Sequence, residues 1–248
     1  MRFFLEFSYA GTQYHGWQRQ TNAISVQQVM ENALKTLLKI DVPLLAAGRT
    51  DTGVHARQMF AHFEATLIPE VQKQLVYHLN QFLPNDIVIH SLRSVQPKVH
   101  ARFDALSRTY EYHISVGKSA FGNDLHYSFS KHLDMEAMNI ATEILMEYED
   151  FECFSKSNTD VKTYLCDISY AKWNKTKNGY IFTITANRFL RNMVRAIVGT
   201  LIEIGLRKKK IIDLHQIIAS KSRSEAGYSV PAQGLFLTNI EYSDSIYI

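Results

Sequence analysis

The chain has 248 residues, 46% apolar and 21% charged, the balance of a globular protein with a substantial core in one large domain or two moderate ones. Its net charge of +3 permits nucleic-acid binding without requiring it. Cys153 and Cys166 are too few for a disulfide framework, no apolar run approaches the ~18 residues of a membrane span, and Glu6 interrupts the opening Phe3-Phe4-Leu5 run, so neither a membrane nor a secretory signal is expected and the setting reads as cytoplasmic.

Phe3, Leu5, Phe7 and Tyr9 alternate with more polar positions, the pattern of a strand with one buried face. Residues 11–20 follow as a loop in which Tyr14, His15, Trp17, Gln18 and Arg19 surround Gly16. Such side chains stack on bases or bind phosphate, but the residues alone favour packing under the loop's own Trp. Ser25 and Gln28 have capping-box spacing, and Val26, Val29, Met30, Ala33, Leu34, Leu37 and Leu38 give an amphipathic helix over 25–39. A short strand over 44–47 and another over 57–65 flank the stretch AAGRTDTGVHAR, residues 46–57. Its acid is Asp51, with Arg49 two positions away favouring the ionised carboxylate and Gly48 and Gly53 allowing a tight backbone. On these residues alone, an ordinary Asp-Thr-Gly turn is an equal reading.

Pro69 opens the next helix, with Val71, Leu75, Leu79, Phe82 and Leu83 as its apolar stripe, and 87–95 returns as a strand. The irregular stretch 96–107, with Pro97, is the junction between an N-terminal unit over 1–105 and a C-terminal unit over 106–248. Arg108, Tyr110, Tyr112 and Ile114 then share one strand face, residues 117–131 read as a loop, and a helix follows over 137–148. Strands over 163–173 and 180–187 meet at Asn178-Gly179, a hairpin signal. A helix over 189–204 would align Arg188, Arg191 and Arg195 in one basic stripe, followed by a helix over 211–220 and a strand over 235–242. The fold class is therefore α+β, two similar β-α-β-β-α-β units with antiparallel sheets. The run Arg207 to Lys210 reads as a solvated face, and the strand expected after Gly53 argues against His55 and His62 as metal ligands.

Four ordered blocks, YAGTQYHGWQRQ, GRTDTGVHA, FLRNMVRAIVGTL and PAQGLFL, resemble the signature set of the bacterial tRNA pseudouridine synthase A family, across a span from Arg2 to Tyr242. The second block departs from its common form in having Thr52 where Ala is frequent. The resemblance implies that Asp51 is the catalytic aspartate, that Arg195 is its basic partner, and that Tyr110, within RFDALSRTYEY, stacks on the uracil. Read from its residues, Tyr110 is also a core-strand aromatic. The resemblance further gives Arg49 an RNA contact that replaces an extruded base, and it makes Arg102 and Leu235 lesser candidates for the site wall. It implies units packed around a central cleft, a homodimer, a tRNA substrate modified in the anticodon stem-loop at positions 38–40, and no cofactor or metal. Two other classes remain open on the residues: an inert RNA-binding or RNA-folding protein on this scaffold, and an acid-dependent nucleoside or glycoside hydrolase, which would need a second carboxylate.

Overall fold

Residues 1–106 and 236–248 build one unit, and 107–235 build a second. The computed structural model describes residues 1–117, 122–157 and 161–248. In chain order the strands are β1 (Arg2–Tyr9), β2 (Leu45–Ala46), β3 (His55–Glu64), β4 (Ile87–Val95), β5 (Ser107–Ser115), β6 (Tyr127–Ser128), β7 (Ile168–Thr176), β8 (Gly179–Ala186) and β9 (Leu235–Glu241). The helices are α1 (Val26–Leu38), α2 (Pro69–Phe82), α3 (Met135–Leu145), α4 (Met193–Gly205) and α5 (Asp213–Ser220).

In the first unit β1 lies between β3 and β4, antiparallel to both, with Arg2 opposite Glu64 on one side and Val95 on the other. The alternation of β1 holds only beyond Leu5, because Phe4 is buried as well, against Phe60 and Tyr242. Ser25 caps α1, its hydroxyl accepting from Gln28 N–H at 3.3 Å, and Val26, Met30, Ala33 and Leu34 face inward. Helix α2 buries Leu75 and Leu79, whereas Val71 and Phe82, expected in the same stripe, face solvent, Phe82 at 53% exposure.

The terminal strand corrects two expectations. Although the sequence reading gives it to the second unit, residues 236–248 belong to the first, where β9 runs parallel to β3 with His55 opposite Phe236. The sheets are accordingly mixed rather than antiparallel: β9 arrives after a long excursion rather than a hairpin, and only such a crossover permits parallel pairing. In the second unit β8 lies between β5 and β7, antiparallel to both, and β6 adds a short parallel pairing to β5 inside the stretch expected to be a loop. Residues 118–121 of that stretch lie outside the described residues.

Helix α4 starts at Met193, not at 189. Asn192 has φ 67°, a left-handed conformation that cannot continue a right-handed helix and that Asn tolerates better than most residues. Arg188 and Arg191 therefore precede the helix, and the expected stripe of three arginines does not form. Along α4 every residue is buried except Arg195 and Glu203, which are half-buried, as suits a helix that is apolar nearly all round. Close packing depends on Gly199, where a Cβ would collide with the Tyr228 carbonyl. Gly199→Ala is expected to lower stability by about 1–3 kcal/mol through overpacking. Gly48→Ala, at a position with nothing within 4 Å of the added carbon, should leave the denaturation midpoint nearly unchanged.

Candidate active site

The Asp51 loop is held from behind by the loop that leaves β1. The sheet's grip ends with the Ala47 N–H on the Phe60 carbonyl at 2.8 Å, and the Val54 N–H closes a turn on the Asp51 carbonyl at 3.1 Å, with Gly53 at φ 78°. From the other loop, Trp17 N–H donates to the Thr50 carbonyl and Gly53 N–H donates to the Tyr14 carbonyl, both at 3.3 Å. Between these bonds sits Gly16, at φ 79°. A Cβ there would strike the Thr50 carbonyl and lie 3.1 Å from the Asp51 carbonyl carbon, so only glycine lets the two backbones meet. The buried Thr50 hydroxyl bonds to Tyr9 Oη at 2.8 Å. Gly11 N–H donates to His55 Nδ1 at 3.0 Å, and the His55 ring stacks on Phe236 at 4.6 Å.

The aromatic residues of the 11–20 loop are structural. Tyr14 and Trp17 are 5% and 1% exposed; Trp17 stacks on Phe7 at 5.2 Å, and Tyr14 Oη donates to Asp86 at 2.6 Å. Burial, reinforced by the Asp86 carboxylate, pushes the Tyr14 phenol well above its ordinary value. Against this packed support the Asp51 side chain is half-buried and Arg49 is exposed. Among the described residues no ion pair joins Arg49 to Asp51, so the two charges are neighbours in sequence rather than a bonded couple.

The second unit carries Tyr110 and Arg195. Tyr110, in β5 opposite Ile184, is half-buried and meets Phe189 edge-on at 5.1 Å, whereas Tyr112 and Ile114 on the same face are fully in the core. Tyr112 Oη donates to the Pro231 carbonyl at 2.8 Å, and burial pushes its phenol up, opposed in part by the Arg195 charge. Arg195 lies in the first turn of α4. Its Nε donates to the Val230 carbonyl at 2.7 Å, and Val230 N–H returns a bond to the Arg195 carbonyl at 3.3 Å. Val230 has no distinguishing signal in the sequence, and Tyr9, Gly16 and Thr50, although they fall within the signature blocks, carry no sign there of the segment each folds against.

The remaining candidates have plainer roles. Arg102 sits on an exposed turn over the Phe103 ring at 5.6 Å, and Leu235 is buried at the start of β9. His55 and His62 each use Nδ1 to accept a backbone N–H, from Gly11 and from Ala101. Burial first, then the nearby His100 and Arg2, push the His62 imidazole down to about 4. In the basic run, Arg207 pairs with Asp134 and Lys209 with Glu203.

A family model described as tRNA pseudouridine synthase matches residues 148–243. The chain is 46% identical to the tRNA pseudouridine synthase A of Bacteroides thetaiotaomicron over 99% of this chain and 92% of that protein, and 46% identical to that of Bacteroides fragilis over 99% and 98%. A more distant relative of the same name, from Thermoanaerobacter pseudethanolicus, is 39% identical over 94% of this chain and 96% of its own length.

Two stability measurements follow from this geometry. Tyr9→Phe removes the partner of a buried hydroxyl and should cost about 1–3 kcal/mol in a denaturant titration. Because the His62 value is depressed in the fold, the unfolded chain binds the extra proton between about pH 4 and the ordinary value of 6.5. Stability should therefore rise with pH across that window and gain nothing more from this group above it. His62→Gln should flatten that part of the profile, read as the unfolding midpoint against pH.

Proposed function

The chain belongs to the tRNA pseudouridine synthase A family, and from that premise we propose that Asp51 is the residue on which its isomerisation of uridine to pseudouridine in tRNA turns. The reaction breaks the bond between uracil N1 and ribose C1′, forms one between C5 and C1′, and moves a proton from C5 to N1. Nothing is consumed. The observation that carries the reading is the seat of Asp51: a half-buried carboxylate on a loop whose backbone is bonded to a second loop through Thr50 and Gly53 and rests directly on Gly16. A carboxylate whose backbone is fixed in this way loses little orientation freedom when substrate arrives.

Three routes suit such a group: attack on the anomeric carbon, attack on the uracil ring, or removal of a ribose proton to give a glycal. Each asks for an ionised, oriented carboxylate, and on this reading Arg195 supplies the pairing charge. Its Nε is already committed to Val230, which fixes the plane of the guanidinium. A base stacked in RNA must be extruded, at a cost of a few kcal/mol offset by new stacking and backbone contacts. Tyr110 offers a ring braced edge-on by Phe189 as the stacking surface, and exposed Arg49 occupies the place of the extruded base. The substrate uridines are those of the anticodon stem-loop, positions 38–40, and the working form is a cytoplasmic homodimer needing no cofactor. The positions, the dimer and the lack of a cofactor rest on the signature blocks, and the cytoplasmic setting on the two cysteines and the interrupted opening run.

Asp51→Asn keeps the size of the side chain and removes its charge, so pseudouridine formation should vanish while tRNA binding persists; normal product formation would falsify the assignment. For Arg195→Met, single-turnover rates should fall by about 10²-fold or more with the tRNA dissociation constant little changed. Mapping pseudouridine in tRNA from cells with and without the protein should show losses confined to positions 38–40.

A further inference from the structure

Arg195 is a charged residue on a helix that is otherwise almost wholly buried, and the segment 227–230 bonds to it directly. Val230 grips Arg195 by two bonds, Nε to carbonyl at 2.7 Å and N–H to carbonyl at 3.3 Å. Upstream of Val230, Gly227 N–H donates to Thr200 Oγ1 at 2.8 Å, and the Tyr228 carbonyl lies against Gly199. The remaining restraint comes from Arg223. One terminal nitrogen donates to the Gly227 carbonyl at 2.9 Å and the other to Ser229 Oγ at 2.8 Å. Asn192 Nδ2, from the residue immediately before α4, donates to the same Ser229 oxygen at 2.7 Å. Both acceptor sites of that hydroxyl are therefore used, one by each side chain.

We propose that Arg223 is a positioning residue for the reaction, a planar fork that fixes the spacing of Gly227 and Ser229 and, through Val230, the direction of the Arg195 guanidinium. Lysine cannot replace it, because a single ammonium on a flexible stem does not hold two acceptors at a set separation. The inference rests on the role given above to Arg195, and it extends the site to a residue 28 positions further along the chain that no signature block contains. Ser229 is the relay, since it is the point where Arg223 and Asn192, the residue immediately before α4, meet.

The test is a double-mutant cycle read by single-turnover pseudouridine formation at saturating enzyme, with tRNA affinity and the thermal midpoint measured beside it. Arg223→Met and Ser229→Ala should each slow turnover by about 10-fold to 10²-fold, the scale of a misplaced catalytic group, with tRNA affinity kept. Arg223→Lys should restore only part of the loss. In an Arg195→Met background neither change should slow the reaction further, because the group they orient is gone. A loss of stability alone, with normal turnover of the folded fraction, overturns the proposal, and so do losses that multiply with that of Arg195→Met. Should Arg223→Met fail to fold, Ser229→Ala decides the matter, since it removes one acceptor and leaves the fork bonded to Gly227. Normal turnover by Arg195→Met alone defeats the underlying reading of Arg195; a normal Arg223→Met beside an impaired Arg195→Met defeats only the present inference.

Discussion

The contact on which the Asp51 loop depends is the backbone of Gly16 laid against the Thr50–Asp51 peptide. It fixes the acid's loop, and the same few residues also start α1: Val26 N–H donates to the Gly16 carbonyl at 3.2 Å and Gln27 N–H to the Trp17 carbonyl at 3.1 Å. The first N–H groups of a helix have no partners within it, so a loop that supplies carbonyls there is tied to the helix as firmly as the helix is tied to its core. Trp17 on Phe7 and Tyr14 on Asp86 carry the restraint into β1 and the start of β4. A side chain at position 16 would separate all of these elements from the Asp51 loop together.

The second unit reaches a comparable result with different parts. A charged group on a buried helix needs its hydrogen-bonding demands met, or its desolvation outweighs anything its charge contributes. Val230 meets the Arg195 Nε demand, and Val230 can do so because Gly199 lets the segment before it approach α4 to backbone distance. Thr200 belongs to the same arrangement: its hydroxyl donates to the Ala196 carbonyl and accepts from Gly227 N–H, which leaves no buried polar atom of this threonine unmet. In both units a glycine admits one backbone to another, and a buried hydroxyl locks the approach.

What was legible in the sequence follows from the range over which each signal acts. Helix α1, the β4 span and the turn at Asn178-Gly179 rest on local periodicity and turn chemistry, and they stand within a residue or so of where those signals put them, whereas the strand before that turn starts at Ile168 rather than 163 and runs on to Thr176. The start of α4 was misread because arginines at 188, 191 and 195 have helical spacing, while the break comes from one backbone angle at Asn192 that side-chain periodicity does not register. The placement of β9 with the first unit was also hidden, since a strand's own residues specify that it is a strand but not which edge it joins. Phe82 fits a helical stripe by number yet lies in the last turn of α2, where the backbone turns extended at Leu83 and it is Leu83, not Phe82, that is buried. The signature blocks single out Asp51 and Arg195 as candidates and also contain Tyr9 and Thr50, but no local pattern encodes that the Tyr9 and Thr50 hydroxyls meet across 41 positions, or that Ser229 meets Asn192 across 37.

The chemistry explains why such rigidity goes with a single acid. A hydrolase acting on a glycosidic bond uses a second carboxyl group to activate water or protonate the leaving group, and it can let the product diffuse away once the bond is cut. An isomerase that reattaches the same base must keep uracil and ribose within bonding distance through the step in which they are joined by nothing, and must deny water the ribose carbon meanwhile. Its effort goes into holding rather than into proton supply, which is the division the proposed site makes: one carboxylate for reaction, one arginine to orient it, and an aromatic ring and a second arginine to keep the extruded base in place. On this account the support behind Asp51 and behind Arg195 is part of the catalytic apparatus. A shift of an ångström that a hydrolase could tolerate in its leaving group would, for an isomerase, separate the two atoms that have yet to bond.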